Sequence, residues 1–154
     1  AHVSDLHFDP ESLYQRLLPY ANPDICLAED PDLMKVLQAG YREDMSCGES
    51  ADRLINEASV AVVMLPNAPW ARRVSGVLGN KLAVDTPHRA HAVLTEIPEG
   101  FLVSVRAPLN KREGADTVCR QFPTGGGRAA AAGINQLPKE ELPAFIDAFN
   151  RQYH

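Results

Sequence analysis

Thr124-Gly125-Gly126-Gly127-Arg128-Ala129-Ala130-Ala131-Ala132-Gly133 is the stretch on which the reading of this chain turns. Three consecutive glycines carry no Cβ, so their backbone can take φ > 0 and come close to a ligand. Their N–H groups can converge on an anion, and a helix starting directly behind them would add its field. Arg128 supplies a planar, permanently charged fork that matches phosphate. The same residues also describe a tight turn entering an alanine-rich element, so the glycines by themselves leave both readings open.

The upstream residues add to this. Phe101-Leu102-Val103-Ser104-Val105-Arg106-Ala107 reads as a strand with an arginine near its end, and one further short helix separates it from the glycines. This order and spacing resemble the C-terminal substrate-binding domain of the DHH-family phosphoesterases, a group that includes RecJ-like nucleases, nano-RNases and cyclic-dinucleotide phosphodiesterases. That domain carries Ser-x-Arg-Ser on a strand and then Gly-Gly-Gly-His-x-x-Ala-Ala-Gly. Ser104, Arg106, Gly125, Gly126, Gly127, Ala131, Ala132 and Gly133 match position for position. Ala107 stands in place of serine and Arg128 in place of histidine, and the likeness extends over about residues 59–153.

The resemblance implies that Ser104, Arg106, Gly125, Gly126, Gly127 and Arg128 hold the phosphate of a nucleotide or a short single-stranded nucleic acid. It implies further that hydrolysis belongs to an N-terminal domain of the same protein, which holds Mn²⁺ or Mg²⁺ through aspartates and an Asp-His-His motif. That motif does not occur in the 154 residues, so no catalytic residue, metal ligand or cofactor is expected among them. The chain begins at Ala1, which suggests processing or a fragment with the catalytic domain upstream. A homodimer is left open. An arginine at 128 keeps its charge at any physiological pH, where histidine would titrate and could accept a hydrogen bond.

Composition narrows the class. At 45% hydrophobic and 23% charged residues, the chain has the material for one ordinary core. A formal charge of −5 argues against a broad electrostatic grip on long duplex nucleic acid, while a local basic cleft for a short anion stays compatible with it. No apolar run approaches the roughly 18–20 residues of a membrane span, and no signal peptide is recognisable. Cys26, Cys47 and Cys119 are odd in number and form no C-x-x-C pair, as expected of reduced thiols in the cytoplasm.

The pattern predicts an α/β fold, a small mixed sheet covered by helices and preceded by a helical linker region, with the linker at 1–58 and the substrate-binding domain at 59–154. Asp9-Pro10 and Asp30-Pro31 are helix starts, each an acidic cap followed by proline at the first helical position. Gly48 is expected to break the second of these helices, and Ser50 to cap another over 51–58. Val60–Leu65 reads as a strand buried on both faces, 69–83 as a helix, 90–97 and 101–107 as a hairpin about Pro98-Glu99-Gly100. A helix over 114–122, a strand over 131–137 and a helix over 138–153 complete the order β-α-β-β-α-β-α.

Other chemistry is less well supported. Asp5, His7 and Asp9 alternate as metal ligands would on an extended segment, but they lie beside a proline-started helix and are read as structural. His88 and His91 are read as surface residues, and Trp70 as a core or helix anchor. Arg72, Arg73, Lys81, Lys111, Arg112 and Arg120 are read as solvated charges that could rim a cleft. No Gly-x-Ser-x-Gly elbow or P-loop lysine is present. An acetyl-CoA-dependent acetyltransferase is the alternative: its Arg/Gln-x-x-Gly-x-Gly/Ala loop would hold the CoA pyrophosphate, but Gln121 is followed three places later by Thr124, so the match slips by one. A partner-binding module, with the glycines as a mere turn, is the third class.

Overall fold

Prolines and their caps set out the N-terminal third of the computed structural model, which describes residues 2–154. Asp9, Asn22 and Asp30 each precede a proline at the first position of a helix: α1 (Pro10–Leu17), α2 (Pro23–Glu29) and α3 (Pro31–Glu49). In each case the cap side chain accepts the N–H three residues on, from Ser12 at 2.9 Å, Ile25 at 3.0 Å and Leu33 at 3.2 Å. The Asn22-Pro23 helix is not anticipated in the sequence, although it carries the same signature.

Two expectations fail just beyond. Gly48 does not break α3; it lets the helix approach Leu78 and Val74 closely. Ser50 ends the helix instead of starting one, its hydroxyl donating back to the carbonyls of Ser46 and Cys47. The predicted helix over 51–58 is instead strand β1 (Arg53–Asn56), recruited by pairing with its neighbour, a tertiary contact that overrides weak local propensity.

The sheet has six strands: β1, β2 (Val60–Leu65), β3 (Ala90–Ile97), β4 (Gly100–Arg106), β5 (Gly125–Arg128) and β6 (Ala131–Leu137), in the spatial order β1-β2-β3-β4-β6-β5. It is a mixed α/β sheet. Only β2 and β3 run parallel, joined by the crossover helix α4 (Pro69–Asp85); the other pairs are antiparallel. Since β1 pairs with β2, the sheet starts before residue 59.

Period-two alternation divides the strands between two cores. Val103 and Val105 of β4 and Ile134 of β6 face α5 (Ala115–Cys119) and α6 (Leu142–Tyr153), where Phe145 and Phe149 stack 5.9 Å apart. On the opposite side, Val63, Leu65 and Val93 meet Val74 and Leu78 of α4, with Met45 of α3 behind them. The fully buried phenylalanines each contribute on the order of 2–3 kcal/mol by leaving water. Helix α4 covers β3 and reaches β4; among the described residues, no helix on that side packs broadly on β6 or β5. That half of the sheet face is open.

Candidate functional site

The glycine triplet forms an edge strand, not a loop, and no helix follows it. Residues 129–130 turn the chain straight into β6, the carbonyls of Ala129 and Ala130 accepting the N–H groups of Ala115 and Ala107, both at 3.0 Å. No helix terminus adds its field behind the glycines, the strand read over 131–137 follows instead, and the helix that an acetyltransferase loop requires is missing there. Glycine disfavours strands, so pairing has to impose this one. The Thr124 hydroxyl donates to the Gln136 carbonyl at 2.8 Å and accepts from the Gln136 N–H at 2.9 Å, clamping the start of β5 to β6.

The three glycines differ in what they are for. A Cβ on Gly125 would run into the carbonyl oxygen of Cys119, so α5 can approach only because it is missing. Gly127 has φ +142°, a conformation that L side chains rarely adopt. Gly126 has neither constraint: a Cβ there would meet nothing within 4 Å. Packing does not require glycine at 126.

Strand register places the predicted residues. Across antiparallel pairs, residues opposite one another point to the same side of the sheet. Ser104 is opposite Gly133, which is opposite Gly126; Arg106 is opposite Ala131, which is opposite Arg128. These six residues therefore share one face, the α4 face; α4 borders Ser104 and Arg106 on β4 and leaves the members on β6 and β5 uncovered. Gly125 and Gly127 belong to the other face. The result is a shelf with an almost bare floor, Gly126, Ala131 and Gly133, between Ser104 and Arg106 on one strand and exposed Arg128 about 10 Å away, two strand spacings across.

Arg106 is the unusual member. It is half-buried, and its Nε donates to Asn80 Oδ1 at 2.8 Å, while Nη1 donates to Ser104 Oγ at 2.9 Å and to the Val105 carbonyl at 3.1 Å. Nη2 lies 3.5 Å from the Gly76 carbonyl. All four acceptors are neutral, and burial lowers its pKa from the usual arginine value. A half-buried cation without a countercharge favours any anion that can reach it.

His91 corrects another expectation. It is buried, not on the surface, and lies directly opposite Arg106 in the β3–β4 pair. The Thr86 hydroxyl donates to the Leu82 carbonyl, so it accepts from His91 Nε2–H at 2.7 Å, which leaves Nδ1 as a buried acceptor with no partner. Burial, reinforced by the charge of Arg89, pulls the imidazole pKa down to about 4, so the ring is neutral at physiological pH. His88 is exposed, as read.

No metal site forms from the described residues. Asp5 accepts two hydrogen bonds from Arg72, at 2.6 and 2.8 Å, which hold its carboxyl well below the usual range. Asp44, 3.7 Å from His7 Nε2, accepts two hydrogen bonds from Arg73, at 2.6 and 2.7 Å. Among the described residues no three His, Cys, Asp or Glu side chains come together as metal ligands would. A divalent ion has no fitted place here, and no step is derived through one.

The concave cavities lie elsewhere. One of about 380 Å³ runs between Cys47, Asp52, Trp70 and Glu96, and its two carboxylates would repel a phosphate. Another, of about 360 Å³, is apolar, lined by Leu6, Phe8, Leu13 and Leu17. The shelf is open rather than enclosed, which suits a ligand gripped by charge and main chain better than one engulfed by apolar walls.

No protein-family model matches the sequence, and no curated protein is significantly similar to it. Solved structures do match. The chain superposes on RecJ from Thermus thermophilus, determined in complex with Mg²⁺, with a TM-score of 0.65 and 19% identity over 97% of this chain and 23% of RecJ. The pGpG-specific phosphodiesterase PggH from Vibrio cholerae matches with a TM-score of 0.61 and 14% identity, over 96% of this chain and 51% of that one. An exopolyphosphatase-related protein from Bacteroides fragilis follows at 0.52 and 14%, over 94% of this chain and 38% of its own. The chain thus shares its fold with a part of each of these proteins. This chain spans about a quarter of RecJ and half of PggH, so it corresponds to a segment of each.

Proposed function

We propose that these residues are the substrate-binding part of a DHH-family phosphoesterase, and that the shelf on β4, β6 and β5 holds a phosphate of a nucleotide or short single-stranded oligonucleotide. The observation that carries this reading is Arg106, a half-buried guanidinium satisfied only by neutral oxygens and sharing one open sheet face with Gly126 and Arg128. In the liganded state a phosphoryl oxygen becomes the missing countercharge. Arg128 closes on the phosphate from the far strand, and the bare floor lets the sugar–phosphate backbone lie against the main chain. None of the side chains on the shelf is aromatic, so recognition rests on phosphate and sugar, not on base stacking.

Hydrolysis belongs, on this reading, to residues outside the chain, where Mn²⁺ or Mg²⁺ is held. The likeness to RecJ and PggH supports this coarse assignment through the fold. The free thiols of Cys26, Cys47 and Cys119 support a reducing, cytoplasmic setting. Among the described residues no helix is long and apolar enough to cross a membrane.

Fluorescence polarisation with a 5′-phosphorylated, dye-labelled dinucleotide tests the proposal. The chain binds, and Arg106→Ala and Arg128→Ala each weaken binding by about tenfold or more. Wild-type affinity in both variants would refute it.

A further inference from the structure

Arg106 has an acceptor on α4 where many proteins would place a carboxylate. Asn80 Oδ1 receives the Arg106 Nε–H at 2.8 Å, and Asn80 itself is exposed on the last turns of the helix. Aspartate has nearly the same shape and is a far stronger partner for a guanidinium. Three other arginines have that partner: Arg72 is met by Asp5, Arg73 by Asp44 and Arg16 by Asp30, each through two N–H···O bonds to a carboxylate. At position 80 an acceptor for Nε–H is kept and the charge is withheld.

We propose that Asn80 is a positioning residue that sets the anion affinity of the shelf, by aiming Arg106 through a neutral acceptor and so keeping its positive charge available to the ligand. This rests on the phosphate-binding reading above and deepens it. Asn80 need not touch the ligand. It acts through Arg106, together with Ser104 Oγ and the Val105 and Gly76 carbonyls, which take three of the other four N–H donors without neutralising the charge and leave one Nη2–H for the ligand. The fork is thereby fixed before binding, so little side-chain entropy is lost when the phosphate arrives.

The arrangement makes an unusual prediction: a substitution that strengthens the fold should weaken binding. Asn80→Asp gives Arg106 an internal countercharge. Its thermal midpoint stays at or above that of the wild type, while its dissociation constant for the labelled 5′-phosphorylated dinucleotide rises at least tenfold. The salt dependence of binding becomes shallower by about one counterion, because one cation has been neutralised beforehand. Asn80→Gln retains a neutral acceptor and stays within about threefold of wild type; Asn80→Ala, which frees the guanidinium, lies between.

Isothermal titration with the dinucleotide, paired with thermal unfolding of the four proteins and an Arg106→Ala control, decides the matter. Wild-type affinity in Asn80→Asp, with binding lost in Arg106→Ala, overturns the role of Asn80 and leaves the site standing. An equal loss in Asn80→Asp and Asn80→Gln also overturns it, since charge would then be irrelevant. If Arg106→Ala binds like the wild type, the shelf reading itself has failed.

Discussion

The two ends of helix α4 handle arginine in opposite ways. At its start, Arg72 and Arg73 reach back to Asp5 and Asp44, and each guanidinium meets a carboxylate through two hydrogen bonds. These pairs fasten the 3₁₀ turn Val3–Asp5 and helix α3 to α4, and both arginines have raised pKa values because of their partners. From its middle onward, Gly76 and Asn80 offer Arg106 only neutral oxygens. The first arrangement is self-contained. The second has charge to spare, and it opens onto a floor that packing leaves bare. Countercharge alone is not the criterion: Arg89 also lacks a carboxylate, but it is buried, with Nη2 donating to Asn56 and the Val60 carbonyl where β1, β2 and β3 meet. An unpaired cation becomes a candidate site when solvent, and hence a ligand, can reach it.

The contrast can be broken at several points. The largest effect is expected at Arg106: Arg106→Ala should lose about 2–3 kcal/mol of binding free energy toward a phosphorylated dinucleotide in calorimetric titration. Its unfolding free energy should change by less than about 1 kcal/mol, because only neutral acceptors are released.

His91, directly across from Arg106, predicts an effect of similar size on stability. Its imidazole titrates near 4 in the folded chain and near 6.5 when unfolded, so the unfolded state binds the proton more readily. Stability is therefore independent of this group above pH 6.5 and falls as pH drops from 6.5 toward 4, by about 3 kcal/mol in all. Urea denaturation of the wild type and His91→Gln across that range checks it. A wild type no more sensitive to pH than the variant would contradict the buried neutral ring.

On the structural side of the comparison, Asp44→Asn should cost about 2 kcal/mol of stability and lower the melting temperature by several degrees, with ligand affinity unchanged. Loss of affinity in that variant would show that the two arginine systems are coupled. The smallest effect is expected at Gly126→Ala, where the new methyl points into open space. Stability holds or rises slightly, while affinity falls about three- to tenfold because the floor is no longer bare.

Much of the frame was legible from residues alone. Asp9-Pro10 and Asp30-Pro31 mark real helix starts, Val60–Leu65 is a strand buried almost throughout, and Ala90 through Arg106 forms the hairpin its turn announces. Ser104 and Arg106, two apart on a strand, could be seen to share a face. The rest depended on partners distant in sequence. Glycine's low strand propensity hid β5, which exists because Thr124 and β6 hold it. β1 was hidden because two apolar residues, Leu54 and Ile55, fit a helix as well as an edge strand. The burial of His91 and the missing countercharge of Arg106 were out of reach: Asn80 lies 26 residues before Arg106, and no local pattern links them.

Two-dimensional ¹⁵N NMR of the labelled chain during titration with a 5′-phosphorylated dinucleotide tests the central claim most directly. The largest amide shifts should fall at Gly126, Ala131, Gly133 and Ser104, accompanied by a shift of the Arg106 Nε–H resonance. Shifts centred on Trp70 and Asp52, or on Leu13 and Tyr14, with the β4–β6–β5 face unmoved, would contradict the account.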